Sequence, residues 1–135
     1  MVCYEIEKNL PLRIFIHVLD DSGLGKRRPM NDAAHLERML RNSNLVIVAK
    51  EQGEIVGVLR ALTDFSYRTF IADLAVISSR QNEGIGRGMI KFARSLAPGA
   101  RLILFAAEDA IRFYQKLGFT VHDRCFQLKE GESLG

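Results

Sequence analysis

Apolar residues change period several times along the chain, and each change marks an element. Leu12, Phe15, Ile16 and Leu19 share one face of a helix that starts at Pro11, where the missing N–H costs little, with Asn9 as a candidate cap. Ile14 and Val18 fall on other faces, so a short strand stays open as an alternative there. Asp21-Ser22-Gly23-Leu24-Gly25 ends that element. Asn31 is placed to cap a second helix, with Leu36, Met39 and Leu40 at helical spacing. Leu45–Ala49 and Ile55–Leu59 are β-branched runs joined by a hairpin turn at Glu51-Gln52-Gly53, and a third strand covers about Arg68 to Ile77. Their connections are too short for crossovers, so these strands are antiparallel neighbours.

Beyond that point the period returns to helical: Ile85, Met89, Phe92, Ala93 and Leu96 line one face, and Pro98-Gly99 stops the helix. Arg101–Ala106 reads as a strand, Asp109–Lys116 as a short helix closed by Gly118, and Phe119–Leu128 as a final strand before a frayed tail. Strand, helix, strand, helix, strand in this half predicts a locally parallel sheet. The chain has 135 residues, 47 % apolar and 26 % charged, which is the length and balance of one globular domain over 1–135. Its 19 basic residues exceed its 16 acidic ones by only +3. The one compact basic run, Lys26-Arg27-Arg28, is a poor nucleic-acid patch and reads as a solvated loop, so no nucleic-acid partner is expected. Cys3 and Cys125 form no CxxC or Cys/His cluster, His17, His35 and His122 are scattered, and no metal site is expected. No run of about 18 apolar residues exists to span a membrane. Met1-Val-Cys-Tyr-Glu-Ile-Glu-Lys lacks a basic segment followed by an apolar one, so the expected location is cytoplasmic.

The most informative segment is Gln81-Asn82-Glu83-Gly84-Ile85-Gly86-Arg87-Gly88, which joins a strand end to a helix start. A helix start exposes unpaired N–H groups and the positive end of the macrodipole, and glycines let backbone approach a ligand closely. Together these suit a phosphate or pyrophosphate. The alternative is a tight glycine turn with no ligand. GxGxxG fails because Met89 stands where the third glycine belongs, and Gly23-Leu24-Gly25-Lys26 lacks the Ser or Thr of a P-loop. A second segment, Ala110-Ile-Arg-Phe113-Tyr114-Gln-Lys-Leu-Gly118-Phe119, puts Ala110 and Tyr114 one helical turn apart. Alone it is weak, since a tyrosine on a short helix is ordinarily a packing residue.

In combination the two segments resemble the GNAT superfamily of acyl-CoA-dependent N-acyltransferases. Gln81-Asn-Glu-Gly84-Ile-Gly86 matches its Q/R-x-x-G-x-G/A motif, the second segment its C-terminal signature, and Asp73-Leu-Ala-Val76 the strand before the loop. The resemblance implies an α/β (α+β) fold: a mixed, mostly antiparallel central sheet splayed between two parallel strands and flanked by about four helices. It implies acetyl-CoA in the splay, with its amides along Leu74, Ala75 and Val76 and its pyrophosphate on N–H groups from about Asn82 to Arg87, the cofactor-binding loop being Gln81, Asn82, Glu83, Gly84, Ile85, Gly86, Arg87 and Gly88. Ala107 stands where many relatives carry an asparagine toward the cofactor arm, and Phe113 belongs to the same signature. Glu83 is awkward beside a pyrophosphate and is expected to face solvent.

The activity implied is transfer of an acetyl group from acetyl-CoA to a primary amine of a small molecule or peptide by direct attack. Tyr114 is the implied general acid, and a strand N–H near Leu74 or Ala75 the oxyanion donor. The general base is less defined: Asp73 is the nearest carboxylate on the strand, and a backbone carbonyl or water chain is the alternative. Arg60, Asp64 and Tyr67 are candidates to line the amine site, although Arg60 and Asp64 are equally able to pair with each other. A non-catalytic acyl-CoA sensor is the rival reading, and a homodimer through the C-terminal strands is an open possibility.

Overall fold

The computed structural model describes residues 1–135, which divide into two compact units, Met1–Phe105 and Ala106–Gly135. In the first unit the chain runs β1 (Cys3–Ile6), α1 (Leu12–Ser22), α2 (Ala33–Arg41), β2 (Leu45–Glu51), β3 (Glu54–Thr63), β4 (Arg68–Val76), α3 (Ile85–Leu96) and β5 (Arg101–Leu104). The strands form one sheet in the order β1-β2-β3-β4-β5, antiparallel throughout except for the parallel pair β4 and β5. With α4 (Ile111–Lys116) of the second unit, this is the mixed five-stranded sheet and four helices expected of a GNAT fold.

Alternation along the strands sets the two layers of the core. Val46, Val48, Val58 and Ala75 face α1 and α2 and pack with Phe15, Val18, Leu19, Leu36 and Leu40. Ile47, Leu59 and Ile71 point the other way, to the face covered by α3, whose Ile85, Met89, Ile90 and Ala93 are buried. Each fully buried large side chain here contributes about 1.5–3 kcal/mol relative to exposure.

Two irregularities position the site. Residue Ala72 has no partner in the β3–β4 register, because Arg60 pairs with Asp73 and Ala61 with Ile71, so the strand bulges there. The β4–β5 pairing stops at Ile71 opposite Leu104, while β4 runs on to Val76. From Ala72 onward β4 therefore has an open edge on that side, which is the expected splay.

Several elements differ from the sequence reading. The N-terminal residues form an edge strand, β1, where the leading third reads as helical; at four residues with mostly exposed positions it carries no readable alternation. Pro11, not Asn9, is the N-cap of α1, and Asp32, not Asn31, caps α2 by accepting the His35 N–H at 3.0 Å. The strand expected over Phe119–Leu128 does not form. Val121 and Phe126 are exposed, and the segment bends locally, with the Arg124 N–H donating to His122 Nδ1 at 2.9 Å and Arg124 beside Asp123. His122-Asp123-Arg124 interrupts the apolar alternation a strand would need, and local bonds take its place.

The β2–β3 hairpin turns through Gln52 and Gly53 alone, with Glu51 and Glu54 paired across it. Both turn residues have positive φ, 52° and 79°, as a type I′ turn requires. Gln52 pays the steric penalty of a left-handed backbone, which asparagine relieves. Gln52→Asn is expected to raise stability by about 0.5–1 kcal/mol, read as a shift in the urea midpoint at unchanged m-value. A lower midpoint would contradict this account of the turn.

Candidate active site

Building upward from backbone, the head of α3 is the first component. Gly84 is its N-cap at φ 83°, with no side-chain cap, and Asn82 before it is also left-handed at φ 64°. The first helical bond is from the Gly88 N–H to the Gly84 carbonyl at 3.0 Å. The N–H groups from Asn82 to Arg87 have no acceptor in the protein, so a run of donors converges where the helix dipole is positive. Gly84 needs its glycine for its φ. Gly88 differs from the rest of the motif: its N–H is already used, and a Cβ there would lie 2.1 Å from the Tyr4 hydroxyl. Its missing side chain admits the Tyr4 ring.

The loop is held in place before any ligand arrives. Gln81 Nε2 donates to the Val76 carbonyl at 2.9 Å and the Ser22 carbonyl at 3.3 Å, while Asp21 Oδ2 accepts the Ser78 N–H at 2.7 Å. Glu83 is exposed and paired with Arg80 at 2.9 Å, turned toward solvent as expected. Beside this loop lies the open edge of β4 from Ala72 to Val76, with Leu74 and Val76 half-buried and Ala75 buried. Unpaired strand groups followed by a cluster of donors match a ligand with amides in an extended arm and a diphosphate at its end, so the residues present fit coenzyme A.

Asp73 does not occupy the role of a free base. It is 2 % exposed, and both carboxylate oxygens accept from guanidinium groups. Arg28 Nε donates to Oδ1 at 2.7 Å and Arg60 Nε to Oδ2. Neither oxygen is open to an amine. Arg60 correspondingly does not pair with Asp64 and lines no open amine site: it is buried, and its Nη1 donates to Ser43 Oγ at 3.0 Å. Asp64 instead caps the β3–β4 turn. Its Oδ1 accepts the N–H groups of Ser66, Tyr67 and Arg68 at 2.7–3.1 Å, and these bonds pull its carboxyl down to about 2. Tyr67 is exposed, with the Arg68 guanidinium 3.9 Å from its ring centre. An open depression of about 500 Å³ on the α1–α2 face is lined by Asn42, Leu62, Asp64, Arg68, Phe70 and Ile103 among others. Arg28 is the residue that the sequence does not single out: it sits in the basic run Lys26-Arg27-Arg28, which reads as a solvated loop.

Ala107, Phe113 and Tyr114 belong to the second unit. Ala107 is half-buried and opens a single 3-10 turn that leads into α4, its carbonyl accepting the Ala110 N–H at 2.9 Å. The end of α4 explains the Leu117-Gly118-Phe119 part of the signature. Gly118, at φ 98°, donates to the Gln115 carbonyl and Phe119 to the Tyr114 carbonyl, both at 3.0 Å. This paired closure is a Schellman motif, and its accompanying apolar contact is the edge-to-face packing of Phe119 on Tyr114, ring centres 5.5 Å apart. Phe113 meets the same ring edge-on at 5.0 Å. Burial pushes the Tyr114 phenol up to about 12.

A mixed sheet open along β4 beyond Ile71, together with an uncapped, glycine-led helix start, is the framework of the site. The acetyltransferase (GNAT) domain model matches residues 42–121, and the chain belongs to that family. The chain is 30 % identical over 107 residues to the histone acetyltransferase TAP1 of Glycine max and 29 % identical over 114 residues to the probable acetyltransferase TAP2 of the same plant. These matches cover 69 % and 77 % of this chain but 45 % and 46 % of those proteins, so the chain spans about half their length. Among solved structures, a GNAT-family protein from Streptococcus pneumoniae is 24 % identical, with TM-score 0.77 and 96 % of each chain covered. An aminoglycoside acetyltransferase from a soil metagenomic sample is also 24 % identical, with TM-score 0.68, covering 98 % of this chain and 97 % of that one. At these identities the structures share the fold.

Two outcomes follow from this geometry. Asp73→Ala leaves Arg28 and Arg60 facing each other without their shared carboxylate, and is expected to cost about 3–5 kcal/mol in urea unfolding; an unchanged midpoint would refute the network's structural role. The Tyr114 phenol should ionise near 12 in the folded protein against 10.0 for the free group. Its folded value is raised, so its contribution to stability is complete below about pH 10 and is lost as pH rises toward 12. The difference between wild type and Tyr114→Phe in an absorbance titration near 295 nm reads that ionisation, and a midpoint near 10 would contradict the burial.

Proposed function

We propose that the protein is an acetyl-CoA-dependent N-acetyltransferase acting on a primary amine of a small molecule or peptide. The observation that carries this reading is the run of unpaired N–H groups from Asn82 to Arg87 next to the open edge of β4. Those N–H groups take the diphosphate, and the backbone of Leu74, Ala75 and Val76 takes the pantetheine amides. Val76 enters with its carbonyl already accepting from Gln81, so its second lone pair or its N–H serves there. When bound, acetyl-CoA supplies a thioester that a neutral amine attacks directly. An N–H of Leu74 or Ala75 stabilises the developing oxyanion.

Tyr114 is the donor to the departing sulfur. With its phenol raised to about 12 it stays protonated at every working pH, and full transfer to a thiolate, whose conjugate acid has a reference value of about 8.5, is uphill. It therefore acts by holding a hydrogen bond to the sulfur as charge builds. With both Asp73 oxygens engaged, the ammonium proton of the acceptor passes to solvent, guided by a hydrogen bond to a backbone carbonyl or along a water chain. The depression lined by Leu62, Phe70 and Ile103 together with Asp64 is the surface we assign to the acceptor.

The engaged state of Asp73 also favours a second reading, an acyl-CoA-binding module without turnover. Thiol release from acetyl-CoA over a panel of amines, read beside calorimetric binding of coenzyme A, separates the two. Turnover with at least one amine, reduced by about 10²-fold or more in Tyr114→Phe at unchanged coenzyme A affinity, is the expected result. Tight binding with no thiol release from any amine would support the module, and no binding at all would sink both.

A further inference from the structure

Arg28 carries three commitments at once. Its Nε donates to Asp73 Oδ1 at 2.7 Å, its Nη2 to the Ala72 carbonyl at 2.9 Å and its Nη1 to the Arg27 carbonyl at 2.9 Å. The residue lies on the connection between α1 and α2, while Ala72 is the bulged residue of β4. Along a regular strand, ladder hydrogen bonds fix the orientation of each peptide plane. At a bulge the extra residue has no counterpart across the ladder, and its peptide is the one free to rotate. Here a side chain does what the ladder does elsewhere: the guanidinium fork holds the Ala72 carbonyl. The peptide is trans, so fixing that carbonyl fixes the Asp73 N–H in the opposite direction. The open β4 edge begins at this plane.

We infer that Arg28 is a positioning residue for acyl transfer, fixing the bulge peptide at Ala72 so that the backbone donors of the open β4 edge are aimed at the reacting carbonyl. Asp73 and Arg60 are the other half of the device. Asp73 holds the Arg28 fork at its Nε while Arg60, tied to Ser43, holds Asp73 from the other side. A fork with two parallel donors is needed, and lysine, with one ammonium on a flexible stem, keeps the charge but not the two-point grip. The inference rests on the acetyltransferase reading above, and it assigns to the α1–α2 connection a part in the chemistry that the side chain performs without touching substrate.

The test compares full-length wild type with Arg28→Lys and Arg28→Met. Three quantities are read: coenzyme A affinity by calorimetry, kcat with the best amine of the panel, and amide hydrogen exchange at Asp73 and Leu74. The diphosphate loop does not contain Arg28, so affinity should stay within about 3-fold while kcat falls by about 10-fold or more in both variants, because small misplacement of a catalytic donor is costly. Exchange at Asp73 and Leu74 should quicken relative to core amides of α3, and added guanidinium ion should restore part of the kcat of Arg28→Met but not of Arg28→Lys. A lysine variant with wild-type kcat would show that charge alone matters and would overturn the inference. So would kcat and local exchange unchanged in both variants, or global unfolding of both, which would make Arg28 a stability residue only. If wild type binds coenzyme A yet turns over no amine, the enzyme reading fails, and the exchange at Asp73 and Leu74 still decides whether Arg28 holds the bulge.

Discussion

Backbone groups must find partners, and in this fold the parting of two strands decides where they are left without them. β5 accompanies β4 only from Arg101 to Leu104, against Arg68 to Ile71, and then pairs no further. From Ala72 to Val76 the β4 edge has no strand partner on that side: the Ala72 carbonyl takes Arg28, the Val76 carbonyl takes Gln81, and the rest is left to solvent or a ligand. A few residues later the head of α3 repeats the condition, with donors from Asn82 to Arg87 unmet. At the mostly exposed head of α3 these donors face solvent, as at any uncapped helix start, while Leu74 and Val76 on the β4 edge are half-buried. Two such stretches, separated by one short connection, describe the outline of a ligand that offers amides along an extended arm and negative charge at its end. The connection itself is fixed to α1 through Gln81 and Asp21. The cradle is therefore set before binding, which lowers the ordering cost a ligand would otherwise meet.

The buried ion network below this edge is not explained by stability alone. Desolvating a carboxylate and two guanidinium groups is expensive, and apolar side chains of similar volume serve a core equally well. What apolar side chains lack is direction. Only a donor of fixed geometry can hold the Ala72 carbonyl, and only a carboxylate can hold that donor. Asp73 is thus bound into the scaffold of the cleft rather than exposed to its contents. The one carboxylate of this strand is therefore not free to act as a base.

Local signals made much of this legible. β-Branched runs located β2, β3 and β4, helical spacing located α3, and the glycine pattern of residues 84–88 located the donor cluster, because those features are written within one turn of chain. β1 was hidden because an edge strand of four residues with exposed side chains has no apolar rhythm to read. Phe119–Leu128 misled in the opposite sense: its composition favours a strand, but local bonds around His122-Asp123-Arg124 prevail where no ladder partner is found. Gly88 looked like a ligand glycine and is a packing glycine, a distinction that depends on Tyr4 far away in sequence. The fate of Asp73 was equally unreadable. Arg28 lies 45 residues before it and Arg60 13 before it, and no spacing rule joins the three.

The chemistry of Tyr114 closes on the same theme of geometry over proton affinity. Its carbonyl anchors the Schellman closure of α4, and its ring is packed edge-on by Phe113 and Phe119. Burial raises the phenol to about 12, so the hydroxyl stays a protonated donor. A donor that does not ionise is useful only if the charge it meets appears within its reach. On the proposed reading that place is set by the thioester lying along β4, and β4 is set by its bulge. On that reading a phenol so hard to ionise contributes alignment rather than acidity, and Arg28 is inferred to set the β4 side of that alignment.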